Sequence, residues 1–319
     1  MTTNIATAPI RLGISSCLIG EQVRFDGGHK RDTFINEALG QFFEFIPVCP
    51  EVAIGLGIPR QPIRLVGDAA APRAVGVRDP DLDVSSALTR YGTRMARELN
   101  DISGYIFKKG SPSCGMERVK VYQTGQPGKN GTGLYARAFM DRQPLLPAEE
   151  EGRLGDPVLR ENFIERVFAY RRWQELLVLG LTPARLVDFH TIHKLNLMAH
   201  GVEHYRALGQ VVADAGAKGL RQRAENYIAD FMTALKHRAT RKRHTNVLMH
   251  IMGYLKKNLD REDKAELLEL IEAYRLGQVP LIVPITLLKH HFRRHPDPYI
   301  ARQIYMDPHP AELMLRNSI

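Results

Sequence analysis

Short apolar runs alternate with amphipathic segments over the first half of the chain. IRLGIS (10–15), FIPVCP (45–50) and GYIFKK (104–109) have the composition of buried strands. The intervening segments FINEALGQFFE (34–44) and LDVSSALTRYGTRMARELND (82–101) carry apolar residues every three or four positions, as helices do. Asp83 or Ser85 can cap the second of these helices. This order of strands and helices predicts a parallel sheet with helices on its faces.

The pattern changes in the middle of the chain. Residues 143–157, QPLLPAEEEGRLGDP, combine prolines, glycines and an acidic run, which predicts a linker. Helical periodicity dominates after it, with Asp260 as a candidate N-cap. One predicted helix face consists of Leu220, Ala224, Tyr227, Phe231 and Leu235. We therefore predict an α/β domain over 1–150, with a Rossmann-like and mostly parallel sheet, followed by an all-α domain over 151–319.

Composition excludes several classes of protein. The chain has 319 residues, of which 44% are hydrophobic and 25% charged, and this balance argues against a disordered protein. Its apolar stretches are too short to span a bilayer, and MTTNIATAPI does not have the pattern of a secretory signal. An odd number of cysteines, three, argues against a disulfide scaffold. We expect a cytoplasmic protein with reduced thiols.

Charge is distributed unevenly along the chain. Residues 1–150 hold 18 Lys/Arg and 16 Asp/Glu, whereas residues 151–319 hold 26 and 19. Such an excess in the second half indicates a polyanionic partner, and nucleic acid is the candidate. The residues predicted to contact its phosphates, which become the predicted RNA-binding residues with the resemblance described below, are Lys236, Arg238, Arg241, Lys242, Arg243, Lys256 and Lys257. The simpler alternative is a solvated basic surface, or cations that complement helix dipoles.

The three cysteines each follow a predicted strand, within loops rich in Gly, Pro or Ser. Cys17, Cys49 and Cys114 are expected at one edge of the sheet, because the carboxyl ends of parallel strands meet there. No CxxC pair occurs, which argues against a zinc finger. Three thiolates can hold zinc or an iron–sulfur cluster and leave one metal position open for substrate. The alternative is three buried cysteines that bind nothing.

Three motifs then carry a family resemblance. SSCLIGEQVRFDGGHK, PVCPEVAIGLGIPRQPIRL and KKGSPSCG closely resemble, in this order, motifs of the thiouracil desulfidase family. The resemblance covers roughly residues 10–150. It implies a 4Fe–4S cluster bound by Cys17, Cys49 and Cys114, whose free iron acts as a non-redox Lewis acid on the sulfur of a thiolated pyrimidine. The second half resembles the helical domain often fused to this one, and such fusions imply action on 4-thiouridine in tRNA.

The resemblance also assigns roles within the site. Glu51 corresponds to the family's catalytic glutamate and Ser111 to its catalytic serine. Arg24, Asp26 and Ser113 are the predicted substrate-binding residues. Structural alternatives exist: Glu51 can cap the segment that follows, and Ser111 can bond its own turn. Arg24 and Asp26 can likewise form a salt bridge within their loop.

The leading hypothesis is therefore a desulfidase that converts 4-thiouridine in tRNA to uridine and releases sulfide. One alternative is a desulfidase of free 2-thiouracil or other thionucleobases. A second is an iron–sulfur or zinc sensor that binds RNA without turnover, and a third is a zinc hydrolase. Histidines spaced one helical turn apart, such as His200 and His204, have no HExxH motif around them and are predicted to be core or RNA-facing.

Overall fold

The computed structural model describes residues 9–123 and 126–317. The chain divides into two units, the first ending at Gly155 and the second beginning at Asp156. The described residues of the second unit, 156–317, form helices and turns without a strand. The predicted fold class, an α/β domain followed by an all-α domain, is confirmed. No helix in the described part of the chain combines the length and the apolar character needed to cross a membrane.

Strands and helices alternate in the first unit. In chain order they are β1 (Ile10–Ser15), β2 (Phe43–Val48), α1 (Pro50–Ala53), β3 (Ile63–Val66), β4 (Arg73–Gly76), α2 (Ser85–Glu98), β5 (Gly104–Phe107), β6 (Val119–Tyr122), β7 (Gly128–Gly131), α3 (Leu134–Arg142) and β8 (Ala148–Glu150). The three predicted strands correspond to β1, β2 and β5, and the helix predicted over 82–101 corresponds to α2. In place of the α-helix predicted over 34–44, residues 34–41 form a π-helical turn and a 3-10 turn, and residues 43–44 belong to β2.

The strands β2, β1, β5 and β8 form one sheet in this order, and each neighbouring pair is parallel. β1 lies in the interior of the sheet, where Leu12 and Ile14 are fully buried. Because the four strands run in the same direction, their carboxyl ends meet at one edge. The loops that follow β1, β2 and β5 therefore start from neighbouring positions.

The predicted linker over 143–157 is wrong, because it contains β8, the fourth strand of the parallel sheet. Leu146 and Leu154 flank this strand and are buried, so the segment packs as part of the first unit. Glu149 and Glu150 are also buried, although an acidic run usually lies in solvent. The proline and glycine content marks the turns on either side of a short edge strand.

A second sheet was not predicted from the sequence. It has the order β4-β3-β6-β7, with β3 parallel to β6 and antiparallel to β4. β3 lies within GLGIPRQPIRLVGDAAAP (55–72), a segment whose glycine and proline content is typical of a loop. Ile63 and Leu65 are buried, whereas Arg64 and Val66 are only partly buried. This two-residue alternation is typical of a strand, but it extends over only four residues.

The second unit consists of helices connected by short turns. They are α4 (Pro157–Leu179), α5 (Pro183–Ile192), α6 (Lys194–His200), α7 (Val202–Ala213), α8 (Leu220–Lys236), α9 (Arg241–Tyr254), α10 (Arg261–Arg275) and α11 (Ile282–Arg294). The N-cap prediction for Asp260 is confirmed, since its Oδ1 accepts a hydrogen bond from the Asp263 amide at 2.8 Å. The predicted face of α8 is buried at Ala224, Tyr227, Phe231 and Leu235.

Candidate active site

The three cysteines line one cavity of about 230 Å³ at the carboxyl edge of the parallel sheet. We call it the cysteine cavity; its lining includes Cys17, Cys49, Cys114, Arg24, Glu51 and Ser111. Cys17 lies in a 3-10 turn directly after β1, and Cys49 follows the last residue of β2. Cys114 lies in the loop after β5. The strand-end loops thus bring together residues that are far apart in the sequence.

The Cys17 turn is held by the residues that follow it. The Cys17 carbonyl accepts from the Lys30 amide at 2.8 Å. The side chain of Asn36 donates to the Leu18 carbonyl at 2.9 Å, which ties the π-helical turn to the same segment. The segment that follows Cys17 is therefore tied back to the turn at two points.

The Cys114 turn rests against the start of α3, and this contact requires glycine at residue 133. A Cβ at Gly133 would lie 2.5 Å from the Ser113 carbonyl carbon and 2.9 Å from the Cys114 amide nitrogen. The Gly133 position lets the backbone approach, and the Ala136 amide donates to the Ser113 carbonyl at 3.0 Å. Glu150 of β8 supports the other side of the turn by accepting from the Met116 amide at 2.8 Å.

Burial favours the protonated form of the three cysteine thiols. It raises the pKa of Cys17 to about 11 and also raises that of Cys49. Burial raises the pKa of Cys114 well above its usual value, and the Ser15 hydroxyl opposes this by hydrogen bonding. Burial therefore favours the neutral thiols, and a bound cationic group would favour the thiolates.

Glu51 is the carboxylate nearest to the cysteines in sequence, and it is held by two side chains. Pro50 begins α1 directly after Cys49, which places Glu51 in the first helical turn. Its Oε2 is bound by Arg60, with N–O distances of 2.9 and 2.8 Å, and its Oε1 accepts from the Ser113 hydroxyl at 2.8 Å. The Glu51 and Arg60 side chains are only 15% and 5% exposed, so water screens their ion pair little.

Arg60 and Lys108 are site residues that sequence reasoning missed. Arg60 also donates to the Gly57 carbonyl at 3.0 Å and to the Val23 carbonyl at 2.9 Å, and it lines the cysteine cavity. Lys108, which lines the same cavity, forms an ion pair with Glu151. The sequence could have indicated Lys108, because it directly follows β5 and residues at the carboxyl ends of the strands form this edge of the sheet. No comparable signal marked Arg60, which lies in a turn-rich loop.

The two serines of the SPSC turn have different positions. Ser111 lines the cysteine cavity, and its Oγ accepts from the amides of Ser113 and Cys114 at 3.2 and 3.1 Å. The hydroxyl proton of Ser111 remains available to a bound molecule. Ser113 is fully buried and donates to Glu51, so its position is that of a support for Glu51. Its predicted contact with substrate stays a prediction.

Arg24 lines the cysteine cavity, whereas Asp26 lies outside its lining. The Asp26 Oδ1 is 3.4 Å from Arg24 Nε and accepts from the Gly28 amide at 3.1 Å. The Gly28 amide and the Arg24 guanidinium lower the pKa of this exposed carboxyl group. This is the loop salt bridge that the sequence offered as an alternative, and a role of Asp26 in substrate binding stays a prediction.

The predicted RNA-binding residues fall into two groups on the second unit. Lys236, Arg238, Arg241, Lys242 and Arg243 lie between the end of α8 and the first turn of α9. Lys256 and Lys257 lie beyond the C-terminal end of α9. A helix of this length separates the two groups by roughly 20 Å along its axis. Arg243 pairs with Glu203 at 3.7 Å, and Arg241 donates to the Tyr274 carbonyl at 3.2 Å.

Comparison with known proteins identifies two regions. A family model described as 2-thiouracil desulfurase matches residues 12–151. A model described as protein of unknown function (DUF1722) matches residues 194–310. The chain is 36% identical over 159 residues to the uncharacterized protein YbgA of Escherichia coli (strain K12), covering 50% of this chain and 94% of that protein.

Two further similarities concern other proteins. The uncharacterized protein YbbK of Bacillus subtilis (strain 168) is 29% identical over 150 residues, which covers 45% of this chain and 97% of YbbK. A solved structure of the 4Fe–4S-dependent thiouracil desulfidase TudS is 28% identical, with a TM-score of 0.37, and the match covers 46% of this chain and 93% of that chain. The family matches therefore identify a 2-thiouracil desulfurase domain in the first half of the chain and a DUF1722 region in the second half.

Proposed function

We propose that this protein is a desulfidase, which replaces the sulfur of a thiolated pyrimidine by oxygen and releases sulfide. The observation that carries the proposal is the convergence of Cys17, Cys49, Cys114 and Glu51 on one cavity. The family match over residues 12–151 supports it.

The donor set fits a 4Fe–4S cluster better than a single metal ion. Among the described residues, no group of three or more His, Cys, Asp or Glu side chains is arranged to hold one ion. A cluster binds each thiolate through a different iron, so its ligands stand farther apart than those of a zinc ion. Cys17, Cys49 and Cys114 would hold it, leaving one iron without a protein thiolate. When bound, such a cluster supplies a Lewis acid for sulfur.

The chain itself supplies the proton acceptor. Water must lose a proton as it attacks the ring carbon that carries sulfur, and Glu51 lines the cavity where this happens. Arg60 occupies Oε2 of Glu51, whereas Oε1 has a second lone pair beside the Ser113 hydrogen bond. We therefore propose that Oε1 of Glu51 accepts the proton that the attacking water loses. The overall change is thiocarbonyl plus water to carbonyl plus hydrogen sulfide, in which no electrons are gained or lost.

Other cavity residues orient the pyrimidine. The Ser111 hydroxyl donates a hydrogen bond to the ring, on which negative charge develops as water attacks. Arg24 and Lys108 bring positive charge to the same cavity and attract an anionic or polarised group of the substrate. The Lys108 side chain is kept in place by Glu151, which also accepts from the Lys109 amide at 2.7 Å.

We further propose that the substrate is 4-thiouridine within tRNA and that the second unit docks the RNA. Residues 151–319 carry 26 Lys/Arg against 19 Asp/Glu. Lys242, Lys256 and Lys257 are exposed, and no carboxylate among the described residues pairs with them. Unpaired cations favour phosphate contacts, which give affinity without reading sequence.

Anaerobic incubation of the full chain, reconstituted with iron and sulfide, with thiolated tRNA tests the proposal. We expect 4-thiouridine to disappear, with equal amounts of uridine and sulfide formed. If free 2-thiouracil is converted and thiolated tRNA is not, the desulfidase chemistry is supported and the proposal of a tRNA substrate is wrong. No conversion of either substrate by protein with a full complement of iron would overturn the desulfidase.

The docking role has its own test. The triple variant Lys242→Glu, Lys256→Glu, Lys257→Glu should lose most of its kcat/KM on tRNA and keep turnover of free 2-thiouracil. The matched control reverses three other exposed cations of the second unit, Arg206, Lys218 and Arg221. Equal losses in the two triple variants would show that net charge alone matters and would contradict a docking surface at these lysines.

A further inference from the structure

The second unit contains a cavity of about 220 Å³ that the desulfidase chemistry does not use. We call it the glutamate cavity; its lining includes Glu161, Glu165, His200, Arg238, Arg241 and Tyr274. Two of these residues lie on α4, and the others come from α6, α10, the start of α9 and the turn before it. The acidic and the basic residues of the cavity therefore come from different elements.

Glu165 is fully engaged by protein groups. Its Oε1 accepts from the Asn196 side chain, and its Oε2 lies 3.2 Å from His200 Nε2. The other ring nitrogen of His200 lies 2.5 Å from the His237 carbonyl. The charge of Glu165 raises the pKa of His200 against the opposing effect of burial, and His200 in turn lowers the pKa of Glu165 to about 2. Both oxygens of Glu165 therefore already have a protein partner.

Glu161 is different, because one of its oxygens is buried without a partner. Its Oε1 lies 3.4 Å from Arg316 Nε, but its Oε2 makes no hydrogen bond to any described residue. Glu161 is only 5% exposed. An unsatisfied buried acceptor costs free energy, and such groups in native proteins usually have an unseen partner. Glu161 thus offers an acceptor to a molecule that carries an N–H or O–H donor.

Another part of the glutamate cavity is suited to an anion. Arg238 and Arg241 line it, and no carboxylate in the described part of the chain pairs with either guanidinium. The N-terminus of α9 lies at the same place. Thr240 caps it by accepting from the Arg243 amide, while the amides of Arg241 and Lys242 have no acceptor among the described residues. Free amides at a helix start and two guanidinium groups favour phosphate.

We propose that the glutamate cavity binds a nucleoside monophosphate, with the phosphate at Arg238 and Arg241 and an N–H donor of the base at Glu161. A nucleotide carries both features in one small molecule, and neither inorganic phosphate nor a nucleoside does. The nucleotide is either free or the 5′-terminal nucleotide of an RNA strand, since both present the same groups. This site is separate from the cysteine cavity, and its existence does not depend on the desulfidase activity.

Isothermal titration calorimetry with the full chain tests the proposal, using the four common nucleoside 5′-monophosphates, uridine and inorganic phosphate as probes. We expect at least one mononucleotide to bind with a Kd below about 1 mM and at least about tenfold more tightly than uridine or phosphate. Arg238→Gln and Glu161→Gln should each weaken this binding about tenfold. Arg221→Gln, an exposed arginine on α8, is the matched control and should leave it unchanged.

Each result has a defined meaning. Absence of binding by all four mononucleotides overturns the proposal, as does binding that Arg238→Gln leaves unchanged. Arg238 lies on the surface, so this variant remains informative if Glu161→Gln fails to fold. A hexauridylate with a 5′-phosphate, compared with the same oligomer without it, separates the two sources. Tighter binding of the phosphorylated oligomer than of the mononucleotide assigns the site to an RNA end; weaker binding assigns it to a free nucleotide.

Discussion

The cysteine cavity and the glutamate cavity are assembled from different kinds of segment. The first collects residues from loops after three neighbouring parallel strands, and its central groups are thiols with one supported carboxylate. The second is formed by side chains from several helices, and its central groups are buried ion pairs. In a parallel sheet, the position of a site can be predicted, because the loops after neighbouring strands meet at one edge. In a helical bundle, a site forms where the faces of separate helices meet, and this position depends on how the helices pack.

The largest effect that separates the two cavities is expected from Cys114→Ser. This change removes one of the three proposed cluster ligands, so iron content and turnover should fall to background. Mononucleotide binding and the fluorescence of Trp173, the chain's one tryptophan, should stay as in the wild type because both report on the second unit. Iron analysis, a turnover assay and calorimetry measure these quantities. Wild-type iron content and turnover in the variant would contradict the assignment of Cys114.

Glu51→Gln should give the next largest effect and affect chemistry alone. The amide has nearly the same shape but accepts a proton poorly, so we expect kcat to fall by about 10²- to 10⁴-fold. Iron content should stay unchanged. The matched control is Glu44→Gln, an exposed glutamate on β2, which should leave kcat as it is. A kcat within about twofold of wild type, measured with intact cluster, would rule out Glu51 as the base.

Arg60→Gln sharpens the distinction between a catalytic group and its support. Loss of the guanidinium frees Glu51 Oε2 and should lower kcat about 10- to 100-fold, with little change in KM. Arg60→Lys should recover part of the loss, because a cation returns without the two-pronged geometry. Steady-state kinetics measure both parameters. Arg73→Gln, which removes an exposed surface pair with Asp83, is the control; a rise in KM alone would place Arg60 at the substrate instead.

Mild acid should affect the second unit first, and this is the smallest predicted effect. Burial lowers the pKa of four histidines in that unit: His190 and His309 to about 4, and His193 and His244 to about 3. Their ordinary pKa is about 6.5, so the folded state binds fewer protons than the unfolded chain. The stability that they contribute is complete above this pH and is lost as pH falls towards the folded values, by at most about 1.4 kcal/mol per histidine per pH unit.

Glu161 and His200 oppose this trend. Burial raises the pKa of Glu161 to about 7 and, against the effect of burial, the charge of Glu165 raises the pKa of His200, so the stability from both groups is lost as pH rises. Four histidines outweigh these two groups, so the urea midpoint of Trp173 fluorescence should fall between pH 7 and pH 5.5. His193→Asn should reduce the dependence on pH. The control is His29→Gln, which changes the one histidine of the first unit. A midpoint that is constant or rises on acidification would contradict the prediction.

The sequence predicted the parts of the molecule in which local pattern determines position. The three strands of the parallel sheet, and with them the loops of Cys17, Cys49 and Cys114, follow from apolar runs separated by helical segments. Glu51 was identified because it is two residues from Cys49. Arg60 was not, because its ion pair spans nine residues and depends on how the loop folds back. Glu161 and Arg238 come together only through the packing of helices, which no short pattern encodes.

The acidic run around β8 illustrates the limit of composition as a guide. Glu149, Glu150 and Glu151 follow prolines and precede glycine, which is the usual composition of a linker. Their positions are set instead by contacts across the sheet: β8 pairs with β5, and Glu150 holds the Cys114 turn through the Met116 amide. A charged segment with buried partners cannot be distinguished from a solvated one until its partners are known.

This edge strand has a consequence for how the chain can be divided and recombined. A fragment that stops at residue 150 would lack Glu151, and Lys108 in the cysteine cavity would lose its ion partner. It would also lack Leu154, which is buried in the first unit. Exchanging the helical half for another module therefore has to preserve the chain through Gly155. The boundary between the two units therefore lies several residues beyond the end of β8, because Glu151 and Leu154 are still part of the first unit.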